Sequence, residues 1–182
     1  GSLFADVSAS HWAAKWIEKL YSDGVTSGCS QSPLKYCPEN PVTRAEMAAF
    51  LLRAKYGQNY TPPKATGIFT DVPMSHWAAG WIEKLYADGV TSGCSQSPLK
   101  YCPDSPVTRA EMAAFLLRAK YGQNYTPPPA TGIFSDVPTS HWAAGWIEKL
   151  YVEGITSGCS KSPLKYCPDS PVTRAEMAAF LV

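Results

Sequence analysis

The chain has 182 residues, 45% of them apolar, and a formal net charge of +1. This composition supports a packed core and excludes global disorder. The near-neutral balance, with no basic block, argues against nucleic acid as the main partner, and no apolar run approaches the ~18–20 residues that span a bilayer.

No signal peptide is visible, and the opening Gly1-Ser2 reads as a cloning scar or processed end, so residues 1–3 are set apart. Phe4, Phe69 and Phe134 then open three copies of one unit, spaced by 65 residues. The expected units are 4–57, 69–122 and 134–182, with linkers at 58–68 and 123–133. The last copy stops at Leu181-Val182 where the others continue, as expected of a piece of something longer.

Within the first copy, "SHWAAKWIEKLYSDG" predicts a helix with Ser10 as N-cap and Gly24 as its left-handed stop. Trp12, Trp16, Ile17 and Leu20 fall on one stripe of it. A Ser/Pro loop follows, bounded by cysteines. The pairs Cys29/Cys37, Cys94/Cys102 and Cys159/Cys167 sit in identical settings and read as three local disulfides, implying an oxidising compartment. Metal is the rival reading, but seven residues separate each pair, against the two to four of a zinc knuckle.

A second helix is predicted from Thr43 to about Tyr56, where Thr43 and Glu46 fit a capping box and Met47, Phe50, Leu51 and Ala54 form the buried face. The connecting "GQNYTPPKATGI" favours extended polyproline structure. No sustained β-alternation appears, so the expected fold is all-α. Two helices of one unit cannot bury their apolar faces alone. Three tandem two-helix repeats are therefore expected to close with pseudo-threefold symmetry around a shared helical core.

"VTRAEMAAFL" begins at Val42, Val107 and Val172, and puts Arg44, Arg109 and Arg174 in the first helical turn. A cation there opposes the helix dipole by roughly 0.3–1 kcal/mol. Two readings account for it. The guanidinium and free backbone amides together dock an anion, or the arginine bridges Glu39, Asp6 or another acidic neighbour. On the first reading, removing the arginine leaves the helix intact or slightly more stable.

The motifs "FTDVPMSHWAAGWIEKLYADGVTSG" and "VTRAEMAAFLLRA", in order and spacing, resemble the S-layer homology module over nearly the whole chain. The resemblance implies a non-catalytic anchor for bacterial surface proteins, binding anionic, pyruvate-ketal-bearing cell-wall polysaccharide in grooves between repeats. It implies ligand contact by Arg44, Arg109 and Arg174. Many family members carry an Asp-Gly-Thr-Phe-like loop where this chain has "CSQSPLKYCP", with Tyr36, Tyr101 and Tyr166 standing in for the aromatic.

Trp12, Trp77 and Trp142 either stack on sugar rings or join the core, while Trp16, Trp81 and Trp146 read as core. Gly28, Gly93 and Gly158 are expected to supply positive φ at the groove wall. His11, His76 and His141 are expected to hydrogen-bond locally, and Asp6, Asp71 and Asp136 to be structural. No elbow, metal-helix or phosphate-loop motif points to an enzyme or a cofactor. The alternative function is self-assembly into a layer or filament, with the arginines pairing between copies. Both readings place the chain outside the cell, at a bacterial surface, with polysaccharide or its own copies as partner.

Overall fold

The computed structural model describes residues 2–182; Gly1, part of the opening segment set apart above, lies outside the described residues. Each repeat runs helix, hairpin, helix. The first comprises α1 (Ala14–Ser22), β1 (Ser30–Gln31), β2 (Leu34–Lys35) and α2 (Arg44–Tyr56). The second comprises α3 (Ala79–Ala87), β3 (Ser95–Gln96), β4 (Leu99–Lys100) and α4 (Arg109–Tyr121). The third comprises α5 (Ala144–Val152), β5 (Ser160–Lys161), β6 (Leu164–Lys165) and α6 (Arg174–Leu181).

The all-α expectation is thus corrected: every cysteine loop is a two-stranded antiparallel hairpin, pairing Ser30 with Lys35 and Gln31 with Leu34 in the first repeat. Strands of two residues are too short to write alternation into a sequence. Their ends are held instead by the Cys29–Cys37, Cys94–Cys102 and Cys159–Cys167 disulfides, each with Cα atoms 6.1 Å apart, which leave no free cysteine among the described residues. The Cys29 N–H also donates to the Lys35 carbonyl at 2.7 Å. Asp6 fixes the far side, its carboxylate accepting from the Tyr36 and Cys37 N–H groups at 2.9 and 2.8 Å.

The first helix begins later than the Ser10 reading placed it. Residues 9–13 form turns and a bend, and Ala13 occupies the cap position without a side-chain bond. His11 takes over the capping chemistry, its Nδ1 accepting the Ala13 N–H at 3.1 Å. Gly24, at φ 74°, ends the helix in the left-handed region, where glycine carries no Cβ penalty. The second helix starts as its sequence directs: Thr43 Oγ1 accepts the Glu46 N–H at 3.1 Å while Glu46 Oε1 accepts the Thr43 N–H at 3.2 Å.

Closure is cyclic. Helix α2 packs on α3, α4 on α5 and α6 on α1, so each second helix finds its partner in another repeat. At the centre, Val107 donates its N–H to the Val42 carbonyl at 2.9 Å, Val42 to Val172 at 2.9 Å, and Val172 to Val107 at 2.8 Å. Those three valines, and Met47, Met112 and Met177, are fully buried.

The proline-rich connectors lie across the first helices of the next repeats. A Cβ at Gly80 would sit 2.7 Å from the Pro63 carbonyl oxygen, so the close crossing requires glycine there. Glu83 fastens this strap by accepting the N–H groups of Thr66 and Gly67 at 2.8 Å each, and Glu148 does the same for Thr131 and Gly132 at 2.8 Å.

Candidate functional site

The first-turn arginines are structural cross-links between repeats. Arg44 donates through Nε to the Tyr101 carbonyl at 2.7 Å and through Nη1 to Glu111. Arg109 makes the same pair with Tyr166 (2.7 Å) and Glu176. Arg174 closes the ring on Tyr36 at 2.7 Å and on Glu46 at 2.8 Å. Their side chains are only 5–6% exposed. Each guanidinium lies over the tyrosine ring of that same partner repeat, at 4.6–4.7 Å.

The tyrosine returns the contact: Tyr101 OH donates to the Arg44 carbonyl at 2.8 Å, and Tyr36 OH to that of Arg174 at 2.7 Å. Burial pushes the Tyr36 hydroxyl up to about 12, against the pull of the Arg174 charge, so it remains a donor at neutral pH. Tyr101 and Tyr166 are likewise raised by burial. These aromatics are core pillars rather than groove walls.

The expectation of free amides at the helix start is corrected as well. The Arg44 N–H goes to the Ser105 carbonyl and the Ala45 N–H to Pro103, both at 2.9 Å; Arg109 and Ala110 donate to Ser170 and Pro168, and Arg174 and Ala175 to Asn40 and Pro38. The helix N-terminus therefore meets carbonyls of the neighbouring repeat, and its amides are already used. The bridge reading of the arginines holds, with the capping-box glutamate of another repeat as partner instead of Glu39 or Asp6.

Above two of the cross-links, Arg174–Glu46 and Arg109–Glu176, a groove opens to which all three repeats contribute. The first, about 240 Å³, is lined by Thr26, Ser27 and Gly28, by Glu46, Ala49, Phe50 and Arg53 of α2, by Trp77, and by Arg174. Another, about 140 Å³, gathers Trp12, Arg109, Gly158, Glu176 and Phe180. The 65-residue shift carries these lining residues onto Arg44, Gly93, Glu111, Phe115, Arg118 and Trp142. So the three kinds of residue singled out from the sequence line common grooves. At Gly28 (φ 87°) a Cβ would lie 2.5 Å from the Lys35 carbonyl oxygen, so only glycine lets the wall close over the hairpin.

Trp12, Trp77 and Trp142 are 60%, 60% and 59% exposed, which removes them from the core, and Trp77 and Trp12 leave an aromatic face at the two grooves. Each stacks on the histidine before it with ring centroids 5.9 Å apart. Trp81 and Trp146 are half-buried as expected, whereas Trp16 is exposed. Lys35, Lys100 and Lys165 lie on the hairpins and line neither of these two grooves.

Sequence reading missed Arg53 and Arg118. The signal was present: Glu46, Ala49, Phe50 and Arg53 follow i, i+3, i+4, i+7 spacing, one stripe along α2 that faces the groove. No helix is long and apolar enough to cross a membrane among the described residues.

The family model for the S-layer homology domain matches residues 3–48, 68–113 and 133–178. A Thermoanaerobacterium thermosulfurigenes amylopullulanase is 31% identical over 94% of this chain and 9% of its own length. A cellulosome-anchoring protein of Acetivibrio thermocellus is 29% identical over 79% of the chain and 32% of its own. An S-layer protein of Bacillus thuringiensis subsp. finitimus is 28% identical over the whole chain and 21% of its own. The chain thus spans less than a third of each of these relatives. With three tandem matches covering most of its length, this chain belongs to the S-layer homology domain family.

Proposed function

We propose that this chain is a non-catalytic anchoring module that works outside the cell and attaches its parent protein to the bacterial cell wall. Family membership and relatives named as cellulosome-anchoring and S-layer proteins support anchoring. Where relatives carry enzyme names, the matched stretch is 9–16% of their length, too little to account for the named activity.

The ligand we assign is anionic secondary cell-wall polysaccharide, held non-covalently in the grooves between repeats. One observation carries this: an exposed indole, a hydroxyl-lined loop and arginine side chains meet in an open cleft of about 240 Å³. That is below the ~300–1,000 Å³ usual for enclosed small-molecule pockets, and suits one substituent of a polymer lying across the surface. Tryptophan offers its face to the apolar side of a sugar ring, the Thr26 and Ser27 hydroxyls suit sugar hydroxyls, and cations favour an acidic group such as a pyruvate ketal.

Layer formation through arginine pairing between copies loses its support, because all three first-turn arginines are engaged within the chain. Co-sedimentation tests the proposal. The chain should pellet with purified Gram-positive sacculi and stay in solution when the secondary polymer has been stripped from them. Equal pelleting with stripped sacculi contradicts it.

A further inference from the structure

In each repeat a carboxylate stands against the cysteine pair. A carboxylate oxygen of Asp6 and the Sγ atoms of Cys29 and Cys37 all lie within 4.8 Å of one another. Asp71 with Cys94 and Cys102, and Asp136 with Cys159 and Cys167, repeat the arrangement. Ligand atoms of a tetrahedral thiophilic cation sit about 2.0–2.3 Å from it, hence roughly 3.5–4 Å from each other. The cluster is close to that size.

Contacts other than the sulfur–sulfur bond hold the three groups in place. The Cys29 N–H donates to the Lys35 carbonyl at 2.7 Å beside the paired strands, which keeps the two ends of the hairpin together. Seven intervening residues tell against a metal knuckle in an open loop, but a hairpin closes that distance. Asp71 and Asp136 are fixed as Asp6 is, each accepting the N–H groups of the tyrosine and cysteine that follow one another at the hairpin's end, at 2.7–2.9 Å. Each carboxylate oxygen accepts one N–H there and keeps a lone pair for a cation. Asp6 and Cys29 are exposed, so water can complete the shell.

We infer that the reduced hairpins are metal sites, in which Cys29, Cys37 and Asp6, and their counterparts in the other two repeats, each bind one thiophilic divalent cation such as Zn²⁺. Two thiols and the cation give a dithiolate complex and release two protons. A small-molecule disulfide, itself reduced to two thiols, then takes two electrons from the thiolates, frees the cation and leaves the Cys–Cys bond. Metal and disulfide are thus alternative clasps of one hairpin. A chain made in a reducing cytoplasm and used outside the cell meets the two conditions in that order.

The test uses the whole chain, reduced under nitrogen with a trialkylphosphine, which takes oxygen from water as each disulfide becomes two thiols. Cd²⁺ is the probe, followed by its ultraviolet thiolate charge-transfer band, with far-ultraviolet circular dichroism read alongside. The reduced chain should saturate at three equivalents with its helical signal native, and the oxidised chain should show no band. Cys94→Ser should saturate at two. Asp71→Asn should keep two tight equivalents and bind the third roughly ten-fold or more weakly; if that variant loses the helical signal, the Cys94→Ser stoichiometry decides. Three equally tight equivalents in a folded Asp71→Asn would remove the carboxylate from the site. Saturation of the parent below three, or cadmium bound only by an unfolded chain, would overturn the inference.

Discussion

Replacing Arg109 by alanine should destabilise the fold, although it removes a cation from a helix N-terminus. On dipole grounds alone, helix α4 would gain roughly 0.3–1 kcal/mol. The structure sets a larger loss against that. Arg109 Nε satisfies the Tyr166 carbonyl at 2.7 Å, and an unsatisfied buried acceptor costs ~1–3 kcal/mol. Removing one partner of a buried ion pair costs ~3–5 kcal/mol. That figure is discounted here because Glu176 is 25% exposed and regains some water. The net expectation is a loss of about 2–4 kcal/mol, and for a chain of this size ~2–4 °C per kcal/mol gives a fall in Tm of roughly 5–15 °C. Urea unfolding followed by far-ultraviolet circular dichroism measures it, with Arg109→Lys expected to lose less. A loss below about 0.5 kcal/mol, typical of surface sites, would refute the cross-link reasoning. Replacing all three arginines therefore tests folding before it tests binding.

An isolated middle repeat, residues 69–133, should show no cooperative thermal transition, because α4 then lacks α5 and the central valine ring lacks two of its three members. A sharp melt would show the repeat to be self-sufficient. Intact mass should lie six hydrogens below the fully reduced value, with only the three within-repeat pairs linked; reduction should cost about 2.5 kcal/mol per hairpin in the chain-entropy model, and unchanged stability after reduction would count against it. Glu148 is disfavoured as an anion by burial, but the N–H groups of Thr131, Gly132 and Ile133 outweigh this and hold its carboxyl below the usual range. Its contribution to stability is therefore complete above the ordinary glutamate pKa and lost as pH falls through the depressed value. Glu148→Gln should flatten that acid limb of the stability curve, and an unchanged limb would contradict the strap assignment.

What was legible in the sequence is what the chain settles locally. The Thr43–Glu46 capping box, the left-handed Gly24 and the cysteine pairing each involve residues within one short segment. The cross-links were hidden for a specific reason. Arg44 pairs with Glu111, 67 residues away, while Glu46 stands two residues from it with the same side chain. Near-identical repeats make contacts within and between copies look alike, so periodicity announces a glutamate partner without saying whose. The same ambiguity promised free amides at the helix start, where carbonyls of another repeat fill the space. The two-residue strands were too short to register, and the first helix lost its expected Ser10 cap to His11. Arg53 escaped notice because an arginine late in a helix ordinarily reads as a favourable dipole partner; its place in the groove shows only in the fold.

The central claim is that the grooves hold the wall through acidic groups on its polysaccharide. The most direct measurement compares co-sedimentation of the intact chain with sacculi in two states, with the secondary polymer present in both. In one state its carboxylates are free, and in the other they have been converted to neutral amides with carbodiimide and methylamine. The account predicts strong pelleting with the first, weakening as salt screens the charges, and loss of most binding with the second. Equal pelleting with both would contradict it.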